Sequence, residues 1–417
     1  MPSTLMQTGS AKPGARAIPV LLALLSGATL LSGCELLLGP GDSTSAAFSA
    51  PLWNVRTVIE GNISALDVAL IPDVGPIASY VVDGTTLKIS RLSDGEWENL
   101  DGPAFGPLMG TGREITTHIA VSPVGGASVL YGTATEAMVL PVDSGPGIAF
   151  ALDTLPATLL PPAETQPTAF SVESSSLAYG SDGRLRVMVR DADEERLWLF
   201  RQETDGWSLG PVPFSDGISG PSQLAVYGTS NEHAVFQAGN EGYYFWWRPG
   251  KGWQERVRFV AGLPFILRLR DNQASVLTTR DRYILQVAEE QYNPQTDEYR
   301  WVLRPVKESS DLYWHNYELV LDPAGFPTHA FILGPLRNDT YEIWVTRLLS
   351  DGSWQEARVT ANLTLPTFNP FDVRMVREPG GRHHMLLTTG QTSSSVGGEV
   401  QVRQRLVHLE SDSPFGR

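Results

Sequence analysis

The chain has 417 residues, 42% of them hydrophobic and 9% aromatic, which is enough for a sizeable core and excludes wholesale disorder. Its 40 glycines and 30 prolines exclude a mostly helical protein, since both residues break helices and mark turns. With 31 basic and 46 acidic residues the net charge is −15, which excludes a broadly basic, nucleic-acid-binding surface.

At the amino terminus Lys12 and Arg16 precede an apolar run, Ala17 to Leu31. The run is shorter than the ~20 residues of a membrane-spanning helix and has the length of a signal-peptide apolar region. It ends in Leu31-Ser32-Gly33-Cys34, which carries the only cysteine of the chain, so no intramolecular disulfide can form. This segment resembles the lipobox of bacterial lipoproteins. The resemblance implies cleavage before Cys34 and acylation of Cys34, with Ser32 and Gly33 suiting a peptidase that accepts only small side chains. Residues 1–33 are then a signal peptide. Their removal takes away two basic and no acidic residues, leaving a net charge of −17. Several acyl chains, at ~0.8 kcal/mol per buried methylene, anchor a protein stably without a transmembrane helix. Glu35 rather than Asp follows the cysteine, and likeness to the enterobacterial pattern then points to the outer membrane. Residues 34–51, rich in Gly, Ser, Ala and Pro, read as a flexible tether.

From residue 52 onward no stretch sustains a helical apolar period. Short β-branched and aromatic runs alternate with Gly, Asp, Asn and Pro clusters, a strand-and-turn pattern. Four segments repeat: Thr86–Trp97, Arg196–Trp207, Tyr243–Trp253 and Glu342–Trp354. Each is an alternating strand with an arginine near its end (Arg91, Arg201, Arg248, Arg347), then a glycine turn, then a tryptophan opening the next strand. Asp-Gly supplies the positive φ of a tight hairpin. Weaker copies bring in Trp301, Phe150 and Trp53. The intervals in the series Trp53, Trp97, Phe150, Trp207, Trp253, Trp301, Trp354 are 44, 53, 57, 46, 48 and 53 residues. They suit four-stranded propeller blades of ~40–50 residues plus loops.

Trp53 opens an outer strand with no strands before it, and after Trp354 the chain makes three more strands, near 372–376, 384–388 and 399–408. The two ends are complementary. Residues 52–417 are therefore expected to be an all-β, seven-bladed propeller, with six blades as the alternative because the Phe150 copy is the weakest. The amino-terminal strand is expected to join the last blade and remove an exposed edge.

The hairpin sequences Ser93-Asp94-Gly95-Glu96-Trp97 and Ser350-Asp351-Gly352-Ser353-Trp354 resemble, in shortened form, the Asp-box repeats of sialidase-like bacterial propellers. That resemblance implies the fold over residues 52–417. It would also imply, for an enzyme, three clustered arginines, a Tyr–Glu nucleophile pair and a further acid. The family's Arg-Ile-Pro motif is absent. Arg268 and Arg270 share one face of an inner strand and Arg374 lies on another, so such arginines either line the central channel or pair with nearby acids.

Other features read as structure. His233, His329 and the pair His383-His384 recur beside the second strand of their blades, too far apart around a ring to share a metal. Asp94, Asp205 and Asp351 offer one acid per turn where a calcium loop needs several oxygens. Tyr243–Trp247 alternates between two covered faces. No metal or cofactor is expected. Propellers commonly bind ligands on the face formed by loops entering the inner strands, and the loop before blade six, Asp311–Tyr317, is the richest such segment in recognition-type residues. Tyr313, Trp314, His315 and Asn316, together with His118 in blade two and Asn369 in blade seven, are the candidates for binding a ligand or partner, and no catalytic residue is assigned. The functional expectation is a lipid-anchored, non-enzymatic binding or scaffolding protein of the cell envelope, with an envelope protein or a glycan as partner. The alternative is a sialidase-like glycoside hydrolase or a glycan-binding lectin.

Overall fold

The computed structural model describes residues 53–412, except 101–114, 143–148, 161–165, 240, 261–265, 281–283, 294, 297, 309–312, 337–339, 360–368 and 395–399. The signal-peptide and tether assignments, and Cys34, lie outside the described residues. Seven antiparallel sheets form the blades of a β-propeller, and no helix occurs among the described residues.

Strand β1 (Trp53–Glu60) comes first and belongs to the last sheet. Blade one is β2 (Ile63–Ile71), β3 (Gly75–Val82), β4 (Thr86–Ser93) and β5 (Glu96–Asn99). Blade two is β6 (Thr116–Val121), β7 (Ala127–Thr133), β8 (Glu136–Val142) and β9 (Phe150–Ala151). Next comes β10 (Thr158–Leu159), which pairs in parallel with the outer edge of blade three. That blade is β11 (Phe170–Tyr179), β12 (Leu185–Asp191), β13 (Leu197–Glu203) and β14 (Gly206–Pro211). Blade four is β15 (Ile218–Tyr227), β16 (Asn231–Ala238), β17 (Glu241–Arg248) and β18 (Gly252–Val260). Blade five is β19 (Ile266–Arg270), β20 (Gln273–Arg280), β21 (Ile284–Asn293) and β22 (Glu298–Glu308). Blade six is β23 (Tyr313–Leu321), β24 (Pro327–Leu336), β25 (Thr340–Leu348) and β26 (Trp354–Arg358). Blade seven is β27 (Asn369–Arg377), β28 (His383–Ser394) and β29 (Val400–Ser411), completed by β1.

The ring closes as its two ends require. Strand β1 pairs antiparallel with β29, Trp53 opposite Ser411, Val55 opposite Leu409 and Arg56 opposite His408. The count is seven, and the six-bladed alternative falls.

The second strands face a neighbouring blade on both sides, so even their polar residues are largely buried; β7 (ASVLYGT) is buried end to end and β12 (LRVMVRD) nearly so. Seven apolar clusters fill the seven seams. The outer-strand tryptophans cover these seams from the rim. Trp97 packs edge-on against His408 of blade seven at 5.3 Å, and Trp301 against Tyr244 of blade four at 5.0 Å. Trp53, Trp207, Trp253 and Trp354 likewise face the preceding blade. Phe150 is the exception. It packs into the seam with the following blade, 6.1 Å from Trp207, while Ala149 faces blade one. Successive residues of a strand point to opposite faces, so an offset of one residue reverses the side that is covered. The Tyr243–Trp247 run behaves as its alternation dictates: Tyr243 and Phe245 pack toward blade three, Tyr244 and Trp246 toward blade five.

Candidate functional site

The seven inner strands β2, β6, β11, β15, β19, β23 and β27 surround a central cavity of about 530 Å³, within the ~300–1,000 Å³ range of small-ligand sites. Each blade contributes one polar side chain at a corresponding place, two to four residues before the end of its inner strand and followed by an apolar residue. Going round, these are Asp67, His118, Ser176, Gln223, Arg268, Glu318 and Arg374, and all seven line the cavity. The alternation that points the flanking apolar residues into the seams points these side chains inward.

The ring divides into two arcs. Blades two to four supply uncharged side chains, and two of them stitch adjacent blades together. Ser176 Oγ accepts a hydrogen bond from Leu224 N at 3.1 Å, and Gln223 Oε1 accepts one from Leu267 N at 2.8 Å. With these oxygens committed as acceptors, the Ser176 hydroxyl hydrogen and the Gln223 amide hydrogens have no acceptor among the described residues.

Blades five, six, seven and one supply Arg268, Glu318, Arg374 and Asp67, with charge alternating in sign. Arg268 Nη2 donates to Glu318 Oε1 at 2.6 Å. Arg374 Nη1 donates to Asp372 Oδ1 at 2.7 Å, and its Nε lies 3.8 Å from Asp67 Oδ1. Asn316 Nδ2 donates to the same Asp372 oxygen at 2.6 Å. Asp67 in turn accepts from Val68 N and from Ile119 N of blade two, both at 2.9 Å. His118 Nδ1 is 4.0 Å from Asp67 Oδ2.

Burial sets the titration of these groups. It pushes the carboxyl of Glu318 up, against the pull of Arg268 and Arg374, and that of Asp372 up, against Arg374. Burial also pushes His118 down, against the nearby charge of Asp67. The Arg374 guanidinium is raised: burial opposes its charge, but the Asp372, Glu318 and Asp67 carboxylates outweigh burial. Arg268 and Arg374 are thus neutralised by carboxylates of the protein itself. A third lining arginine, Arg377, is pushed down by burial, with Asp322 pulling it up and Arg347 adding to the fall.

The residues expected to bind are distributed as follows. His118 is one of the seven ring residues, and Asn316 lines the same cavity. Tyr313, Trp314 and His315 stand on strand β23, Tyr313 opposite Gly334 and Trp314 opposite Leu333, so this stretch is strand where the sequence suggested a loop. Asn369 is the first residue of β27, opposite Gly390. The side chains of these four lie outside the described residues. Arg268 and Arg374 reach the cavity, whereas Arg270, half-exposed, faces Asp271 at the strand end. Sequence reasoning missed Asp67, Ser176, Gln223, Glu318 and Asp372. The signal was a polar residue ahead of an apolar one, a few residues before the end of each inner strand, as in Asp67-Val68, Gln223-Leu224 and Glu318-Leu319.

The histidines pack locally. His233 bridges Tyr244 Oη at 2.6 Å and Asn272 Oδ1 of blade five at 2.9 Å, while His384 Nδ1 meets His408 Nε2 at 3.0 Å. Among the described residues no group of three or more His, Cys, Asp or Glu is placed to hold a metal ion.

No protein-family model matches the chain, and no curated protein matches it. Among solved structures it is similar to AofleA from Arthrobotrys oligospora, at 12% identity over 73% of this chain and 89% of that one, with a TM-score of 0.46. It is also similar to the fucose-specific lectin of Aleuria aurantia (11% identity, 72% and 96% covered, TM-score 0.43) and to a protein from Lactobacillus plantarum (12%, 86% and 98%, TM-score 0.43). Likenesses this distant carry no functional argument.

Proposed function

We propose that this protein is a non-catalytic binding propeller of the bacterial cell envelope. On this reading it is held at the membrane, with the outer membrane preferred, by lipid on Cys34, and it recognises its ligand or envelope partner at the face where the central cavity opens. The observation that supports binding most directly is the cavity itself: one polar side chain from each blade, two uncommitted donors on one arc, and charges that cancel on the other. Such a wall can hold hydrogen-bonding groups without needing a reaction to discharge them. The lipobox-like Leu31-Ser32-Gly33-Cys34 supports the anchor, and a ring on a tether of residues 34–51 would be free to meet a partner.

Sialidase-like glycoside hydrolysis is the second reading, and one observation favours it. Glu318 and Asp372, with carboxyls raised by burial, stand at or beside the cavity, as a general acid must. Against it, Arg268 and Arg374, the inner-strand arginines that would hold a substrate carboxylate, are already paired with acids.

The test is crosslinking and affinity capture of the lipidated chain from its native envelope, with metabolic lipid labelling in parallel. Recovery of a stoichiometric partner, and loss of label with accumulation of precursor in Cys34→Ala, are expected. Lipid labelling of Cys34→Ala at the normal level would overturn the anchor. Hydrolysis of a sialoside, with no partner recovered, would overturn the binding role.

A further inference from the structure

We infer that the central cavity takes an uncharged, vicinally hydroxylated small molecule, that is, a neutral sugar residue or polyol; this rests on the reading of the cavity as a binding site. A strong anion would need an arginine that is free, yet Arg268 is held by Glu318 and Arg374 by Asp372 and Asp67, and the third lining arginine, Arg377, stands in the field of Asp322. A cation would need an acid that is free, yet Glu318 and Asp67 are the partners of those same arginines. What the wall offers a ligand is therefore hydrogen bonding without net attraction for charge.

The order of groups fits diol chemistry. Around blades five, six, seven and one the wall runs donor, acceptor, donor, acceptor, as Arg268, Glu318, Arg374 and Asp67. A hydroxyl both donates and accepts, so two neighbouring hydroxyls can each bridge an arginine and a carboxylate. Such bonds are charge-assisted on the protein side and leave the ligand neutral. Across the cavity, the Gln223 amide and the Ser176 hydroxyl supply the donors for ring or acyl oxygens. The remaining space of about 530 Å³ accommodates a small molecule of this kind.

The test is isothermal titration of the purified full chain with N-acetylglucosamine, galactose and mannitol, and with N-acetylneuraminic acid and glucosamine as charged counterparts. At least one neutral compound is expected to give saturable binding tighter than either charged one. The double variant Arg268→Gln/Glu318→Gln removes one donor–acceptor pair without leaving a lone charge. It is expected to keep the wild-type unfolding transition and to bind at least about tenfold more weakly. Undiminished binding in a folded double variant would place the ligand elsewhere and overturn the inference. Preference for N-acetylneuraminic acid or for glucosamine would overturn the neutral class while leaving a binding cavity. If no probe binds while the capture experiment recovers a protein partner, this inference fails and the binding role stands.

Discussion

Two seams of the ring solve one problem in opposite ways. Glu232 of blade four and His383 of blade seven occupy corresponding positions near the start of their second strands, opposite Val226 and Arg377, and both are buried. Each sits beside the arginine that closes the third strand of the preceding blade, Arg201 and Arg347. Between blades three and four the acid comes from the far side of the seam. Glu232 accepts from Arg201 Nη2 at 2.7 Å and from Arg186 Nε at 3.1 Å, so one buried carboxylate binds two buried guanidiniums. Between blades six and seven the acid comes from Arg347's own blade, through Asp322 at 2.9 Å. His383 then meets only net positive surroundings and stays uncharged: burial first, and Arg377 and Arg347 after it, hold it down to about 3. The repeat fixes the arginine, and which blade supplies the counter-charge decides whether the neighbour is an ion or a neutral ring.

The comparison predicts that acid attacks one side of the propeller. His329, His383 and His408 are each held to about 3, chiefly by burial, against about 6.5 in an unfolded chain. Between those values the unfolded chain binds more protons, so stability is complete above pH 6.5 and falls as pH drops through that window. By pH 5 each histidine costs about 2 kcal/mol. Urea unfolding at pH 7.5 and pH 5 should show a loss of about 6 kcal/mol, and His383→Gln should recover about a third of it. Equal stability at the two pH values would break the comparison.

The ion-paired seam gives the next largest effect. Glu232→Ala strands two buried guanidiniums and should cost about 3–5 kcal/mol in urea unfolding at pH 7.5. A cost below about 1 kcal/mol would mean that water or a neighbour takes the place of Glu232. The smallest effect sharpens the other seam. Asp322→Asn leaves Arg347 without its carboxylate but keeps a side-chain oxygen near Phe326 N, and should cost about 1–3 kcal/mol. It should also lower the pH at which His383 protonates, read by its NMR titration, because the one nearby negative charge is gone.

The architecture was legible because it is written in residue types. Asp94 and Gly95 take φ of 50° and 81°, the consecutive positive values of a tight hairpin, and few other pairs take them without strain. Trp97, Trp207 and Trp301 repeat because only a large ring covers the seam at the rim. The cavity was not legible in this way. Asp67, His118, Ser176, Gln223, Arg268, Glu318 and Arg374 share a position but no chemistry, so a search for self-similarity passes over them. Their equivalence lies in the pleat and in their place shortly before the end of the inner strand, and both require the strand boundaries. Tyr313–Tyr317 shows the same limit from the other side. Its aromatic and polar residues suggested a loop, whereas pairing with β24 makes it strand.

Hydrogen exchange on the full chain, with and without a saturating neutral sugar from the titration panel, tests the cavity most directly. The account predicts slowed exchange on the inner strands around Asp67, Ser176, Gln223, Arg268, Glu318 and Arg374, from several blades at once. Slowing confined to one outer seam, or none on any inner strand, would contradict it.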